Sequence, residues 1–167
     1  MTITLIGMPA AGKSCMGRHL SRKLKMKIID GDKLIEQVTG RKLQDIIDED
    51  GLDTFKSIEE QVLLTIEDDN VIIAPGGSAI YYDSVMQHFK SKGIVVYLYA
   101  SPETIAERLG DFSKRGVALK PGQTIEDLYM ERAPLLEKYA DITVNCDGNA
   151  FAHYHADIYN KISKILK

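Results

Sequence analysis

Residues 2–15 read Thr2-Ile3-Thr4-Leu5-Ile6-Gly7-Met8-Pro9-Ala10-Ala11-Gly12-Lys13-Ser14-Cys15. The first five are rich in apolar and β-branched side chains, the composition of a buried strand. The next eight match the spacing GxxxxGK[ST] at every fixed position, and each type has a physical reason to be there. Glycines let the backbone turn tightly, so that successive N–H groups point inward at a phosphate. The helix expected from Lys13 adds the positive end of its dipole and its unpaired donors. A lysine in this place reaches the β- and γ-phosphates of a nucleotide, and the Ser14 hydroxyl can ligate Mg²⁺. Pro9, Ala10, Ala11, Gly12, Lys13, Ser14 and Cys15 are therefore the expected nucleotide-binding segment.

Outward from this motif, short apolar runs alternate with longer amphipathic ones. Thr2–Ile6, Lys27–Asp30, Val71–Ala74, Ile94–Tyr99 and Ile142–Asn145 read as five strands. They mostly lack inside-outside alternation, as strands covered on both faces do. Helices are expected over Lys13–Lys25, Asp32–Val38, Ser57–Glu67, Ser78–Lys90, Pro102–Leu109 and Thr124–Lys138. Phe151, Tyr154, Ile158, Ile162 and Ile165 then recur at helical spacing, which predicts a closing helix. The pattern predicts one α/β domain over residues 1–167, with a five-stranded, mainly parallel sheet flanked by helices. Ligands gather at the carboxyl ends of such strands.

Composition narrows the function. The chain has 167 residues and a net charge of −3 without basic runs, so nucleic acid and acidic membranes are not expected partners. The longest apolar run, Ile94 to Ala100, is far too short to span a bilayer, and no secretory leader is visible. The two cysteines, Cys15 and Cys146, form no metal or disulfide pattern and suit a reducing compartment; the expected location is the cytoplasm. A GTPase would carry NKxD, but the nearest string, Asn160-Lys161-Ile162-Ser163, lacks the Asp. An ABC-type ATPase or a helicase needs further motifs and more chain. A compact P-loop phosphotransferase remains, with a nucleotide-binding module that transfers nothing as the alternative from another class.

Three further stretches fit a kinase. Asp30-Gly31-Asp32 ends the second strand, where one carboxylate can hold Mg²⁺ and the other can take the acceptor's proton. A simple helix-capping turn is the other reading of this tripeptide. Pro75-Gly76-Gly77-Ser78 follows the third strand, and its paired glycines allow backbone N–H groups close to a ligand. The next helix, expected to open at Ser78, would offer its N-terminus there. Residues 111–122 read DFSKRGVALKPG, long for a connector and basic at its centre, the character of a lid. Arg115 is the lid candidate for the transferring phosphoryl group, and Arg108 can stack on a base.

Taken in order, these motifs resemble shikimate kinase from Ile3 to about Val144. The matching segments are GMPAAGKS; IIDGD with Asp30 and Asp32; Glu49 to Lys56 followed by Glu59–Leu63; Gly76-Gly77-Ser78-Ala79; and Arg132-Ala133-Pro134-Leu135-Leu136 with Ala140-Asp141-Ile142. The resemblance implies ATP-dependent phosphorylation of a hydroxyl of a small hydroxy acid, shikimate to shikimate 3-phosphate. A kinase of a gluconate-like acceptor is the alternative. Lys13, Asp32 and Arg115 would be catalytic, and Ser14 and Asp30 would hold Mg²⁺. Asp32, Lys56, Gly76, Gly77 and Arg132 would bind the acceptor, while Arg108 and Arg115 would serve ATP from the lid side. A monomer is expected. Four positions depart from the family pattern: Cys15 follows the phosphate-loop Ser where Thr is usual, Arg115-Gly116 stands for Arg-Pro in the lid, and, on the acceptor side, Lys56 stands where the family has an Arg that pairs with the substrate carboxylate and Ser78 replaces a third glycine. Arg offers a planar fork and Lys a point charge, so the exchange at Lys56 is not conservative.

Overall fold

In the computed structural model, residues 1–110, 120–148 and 151–167 are described. Strands β1 (Thr2–Ile6), β2 (Lys27–Asp30), β3 (Val71–Ala74), β4 (Gly93–Tyr99) and β5 (Ile142–Asn145) form one sheet in the order β2-β3-β1-β4-β5. Every pairing is parallel; Thr4 of β1, for example, faces Ile73 of β3 and Val95 of β4. β1 is buried at all five positions and β4 at its five central ones. Burial without alternation means that helices cover both faces.

Helix α1 (Lys13–Leu24) follows β1 and packs with α8 (Phe151–Leu166). Tyr154, Ile158 and Ile162 of α8 are buried as the spacing predicts, whereas Ile165 in its last turn is exposed. Helix α6 (Pro102–Leu109) starts as its sequence signals, with Ser101 Oγ accepting from Thr104 N at 3.3 Å and Pro102 in the first turn. Helix α7 (Ile125–Tyr139) opens on a capping box between Thr124 and Asp127.

Two helical boundaries differ from expectation. The chain from Gly31 to Leu64 forms three helices, α2 (Gly31–Thr39), α3 (Leu43–Asp50) and α4 (Leu52–Leu64), not two. The eight-residue α3 is too short to show a clear period, and α4 begins five residues earlier than the pattern indicates. After β3, the expected helix from Ser78 is a short 3-10 turn, Ala79–Tyr81, followed by α5 (Asp83–Lys92). Tyr82 is extended and separates the two, so no α-helix N-terminus faces a ligand at Ser78. The three helices α2–α4 share a small apolar cluster of Ile35, Ile46, Phe55 and Val62, set apart from the main core.

Candidate active site

Because β1 is central, with β3 on one side and β4 on the other, the loop after it sits where the strand order reverses, the natural crevice of such a sheet. Gly12, at φ 102°, caps α1 in a conformation that side chains other than glycine disfavour. Lys13 Nζ donates to Gly7 O at 2.8 Å and to Met8 O at 2.9 Å, so its ammonium is held within the loop. Burial, reinforced by repulsion from Arg132 and partly offset by Asp32, brings its pKa down to about 8.

One cavity of about 660 Å³ opens from this loop across the ends of β2 and β3 to α3 and α7. Pro9, Ala10, Lys13 and Ser14 bound it at one end, with Asp30, Asp32, Gly76, Gly77, Ser78 and Arg132 further along. Asp30 is the N-cap of α2, its Oδ1 accepting from Lys33 N at 3.1 Å. The capping and the metal-holding readings of Asp30 are thus compatible, since one cap occupies only part of a carboxylate's acceptor capacity. Asp32, in the first turn of α2, opens onto the cavity. Its pKa is pushed up to about 6 by burial, with the charges of Glu59 and Asp30 adding to the effect.

Gly76 and Gly77 are needed for close approach. A Cβ on Gly76 would stand 2.6 Å from Asp32 Oδ1 and 3.1 Å from Glu59 Oε2, and one on Gly77 would stand 2.6 Å from Arg132 Nη1. Two carboxylates and a guanidinium therefore converge on this bare turn. Arg132, which helix periodicity alone would leave on a surface, is only 5% exposed. Its Nε donates to Tyr81 Oη at 3.3 Å and its guanidinium lies 5.6 Å from the Tyr81 ring centroid.

Glu59 is a site residue that the motifs mark only as part of an EEQVL string. It is 1% exposed, and its Oε1 accepts from Ser78 Oγ at 2.5 Å and from Tyr82 Oη at 2.8 Å. Burial raises its pKa, and these two donors oppose the rise. The Ser78 hydroxyl is thus engaged by Glu59. Lys56 is not among the residues bounding the cavity, although its charge acts on Glu59. Lys42, Leu43, Gln44, Ile47 and Phe55 do bound it. Nothing in the sequence marks Lys42 or Gln44, because the turn before α3 carries no motif.

Arg108 donates through Nη1 to Ala10 O at 3.3 Å, and through Nη2 to Cys146 O at 2.5 Å and Gly148 O at 2.9 Å. It joins the phosphate loop to the turn after β5. A small cavity beside it is bounded also by Ala11, Gly12 and Cys15. Arg115 lies outside the described residues, as does most of the expected lid.

The donor set suits Mg²⁺. The Ser14 hydroxyl and the Asp30 and Asp32 carboxylates are hard oxygens on one cavity. Mg²⁺ keeps several waters and takes one or two carboxylates plus phosphates, so it needs no dedicated cage. Among the described residues, no helix is long and apolar enough to cross a membrane.

The family model described as shikimate kinase matches residues 9–166. The shikimate kinase of Vibrio cholerae is 36% identical over 168 residues, covering 99% of this chain and 94% of that protein. That of Paracidovorax citrulli is 34% identical over 150 residues, covering 87% and 82%. Among solved structures, shikimate kinase from Acinetobacter baumannii in complex with shikimate matches with a TM-score of 0.82 at 31% identity, covering 99% of this chain and 92% of that one. The Aquifex aeolicus enzyme gives 0.84 at 29% identity, covering 98% and 96%.

Proposed function

The chain belongs to the shikimate kinase family, and from that premise we propose that it transfers the γ-phosphoryl group of ATP to a hydroxyl of shikimate, giving shikimate 3-phosphate. The observation that carries the reading is the continuity of one cavity, with the phosphate loop at one end and Asp32, Gly77 and Arg132 further along. A donor and an acceptor bound there would meet within one continuous space.

Phosphoryl transfer proceeds largely through a loose transition state, so positioning and charge neutralisation do most of the catalysis. In this reading Lys13 leaves the Gly7 and Met8 carbonyls for the β- and γ-phosphates. Their charge restores the proton affinity that burial and Arg132 have lowered. Backbone N–H groups of residues 9–15 hold the remaining phosphate oxygens. Ser14 and Asp30 would hold Mg²⁺, which would offset phosphate charge when bound. Asp32 accepts the proton of the attacking hydroxyl. Its raised pKa suits that work, since it is ionised at neutral pH yet more basic than an ordinary carboxylate.

Arg132, steadied by Tyr81, faces the acceptor's carboxylate, with Gly76 and Gly77 leaving room beside it. Arg108 braces the nucleotide side, and Arg115 would close over the phosphates from a lid at about 111–122. Two unpaired cysteines support a cytoplasmic location.

The test is coupled ADP release with Mg·ATP against a panel of hydroxy acids. Shikimate should stimulate release well above gluconate. Stimulation by gluconate alone would replace the acceptor, and no stimulation by any acid would favour a nucleotide-binding module.

A further inference from the structure

Building on shikimate, a carboxylate-bearing acceptor, as the substrate, we infer that Lys42 supplies the second cation that meets the carboxylate, together with Arg132. The motif pattern assigns that role to Lys56, but Lys56 does not bound the cavity and Lys42 does.

Charge in the cavity makes a second cation necessary. Asp30, Asp32, Glu36 and Glu59 bound it against Lys13, Lys42 and Arg132, so carboxylates outnumber cations before any ligand enters. Lys13 is committed to the nucleotide's phosphates, at the phosphate-loop end of the cavity. An anionic acceptor would then face the excess of carboxylates with Arg132 alone.

Lys42 is built to answer that excess. It occupies the N-cap position of α3, directly before Leu43 and close to Ile47, which form part of the cavity's apolar wall. Its side chain is 76% exposed and Nζ lies 3.0 Å from Glu36 Oε2. Glu36 also accepts from the Leu43 backbone, and its own pKa is lowered chiefly by Lys42. Lys42 and the start of α3 therefore already hold one carboxylate. An ammonium has three donors, and Glu36 occupies one, so a ligand carboxylate can share Nζ without displacing it. An exposed pair of this kind contributes little to stability, so rearranging it costs little. The neighbouring Arg41 is not available in the same way. Its two Nη atoms are each 2.6 Å from a carboxylate oxygen of Glu49 or Asp50, directed along α3.

A ligand-by-residue cycle tests this. Isothermal titration calorimetry would measure shikimate and its neutral methyl ester against the full chain with Mg·ADP, for wild type, Lys42→Ala and Lys56→Ala. Lys42→Ala should weaken shikimate about tenfold or more while changing the ester little, and Lys42→Arg should retain most of the affinity. Steady-state kinetics should show the acceptor KM rising in Lys42→Ala with the ATP KM unchanged. Equal losses for acid and ester, unchanged shikimate affinity, or the selective loss appearing in Lys56→Ala instead would each overturn the assignment of Lys42. A wild type that fails to bind shikimate at all overturns the functional reading and this inference with it, which separates the two failures.

Discussion

Lys13 shows how a half-buried residue can keep its charge. Two backbone carbonyls accept from its ammonium at 2.8 and 2.9 Å, which compensates part of the lost hydration. Lys13→Ala should abolish phosphotransfer in a folded protein, read as loss of acceptor-stimulated ADP release with an unchanged circular dichroism spectrum. Asp32 shows the opposite balance. Its pKa rises from an ordinary 3.8 to about 6, so between those values the folded chain binds more protons than the unfolded one. Stability from this group therefore falls as pH rises from about 4 to 6, and its ionised form is a standing cost at neutral pH. Asp32→Asn should raise Tm at pH 7 relative to wild type, with the gain vanishing below about pH 4, while turnover collapses. In wild type, acceptor kcat/KM should fall on the acid side of about pH 6. Glu59→Gln should move that limb to lower pH, because removing a neighbouring negative charge lowers the Asp32 pKa. A limb that stays in place would detach Asp32 from the proton.

At the scale of elements, the acceptor side is a separate piece of construction. Helices α2, α3 and α4 enclose Ile35, Ile46, Phe55 and Val62, a cluster distinct from the core beneath the sheet. The nucleotide loop rests instead on β1 and α1, which belong to the main core. Damage to the small cluster should therefore reach the acceptor first. Ile46 is fully buried, and Ile→Ala in such a position costs about 2–5 kcal/mol. Ile46→Ala should raise the acceptor KM severalfold with little change in the KM for ATP; an equal rise in both would show that the two sides act as one unit. Helices α6 and α7 carry strong local start signals, in Ser101-Pro102 and the Thr124–Asp127 box, and both begin as the sequence indicates. Helix α3 has no side-chain cap and only eight residues, so it was not legible.

Over the whole molecule, the site joins segments from the ends of β1, β2 and β3 with α3 and α7, so ligand binding ties together parts that are far apart in sequence. Mg·ATP at a hundredfold excess over its Kd stabilises the folded state by about 2.7 kcal/mol, which for a chain of this size raises Tm by about 5–10 °C. Thermal melts with and without Mg·ATP should show that shift in wild type and little of it in Lys13→Ala.

The sequence by itself determined the strands, the parallel α/β architecture and the phosphate loop. All of these rest on local chemistry: apolar runs, glycine turns, helix-start residues and a motif contained within a single strand-loop-helix unit. The DGD and GGS turns were legible for the same reason, since each follows its strand directly. Tertiary structure decided what lies between distant segments. Only packing buries Arg132 behind Tyr81 and Gly77, and only packing sets Glu59 against Ser78 and Tyr82. It also brings Lys42, and not Lys56, to the cavity. A residue's charge and helical phase are written in its neighbours along the chain. The pocket it faces is fixed by elements tens of residues away, whose approach depends on long-range burial.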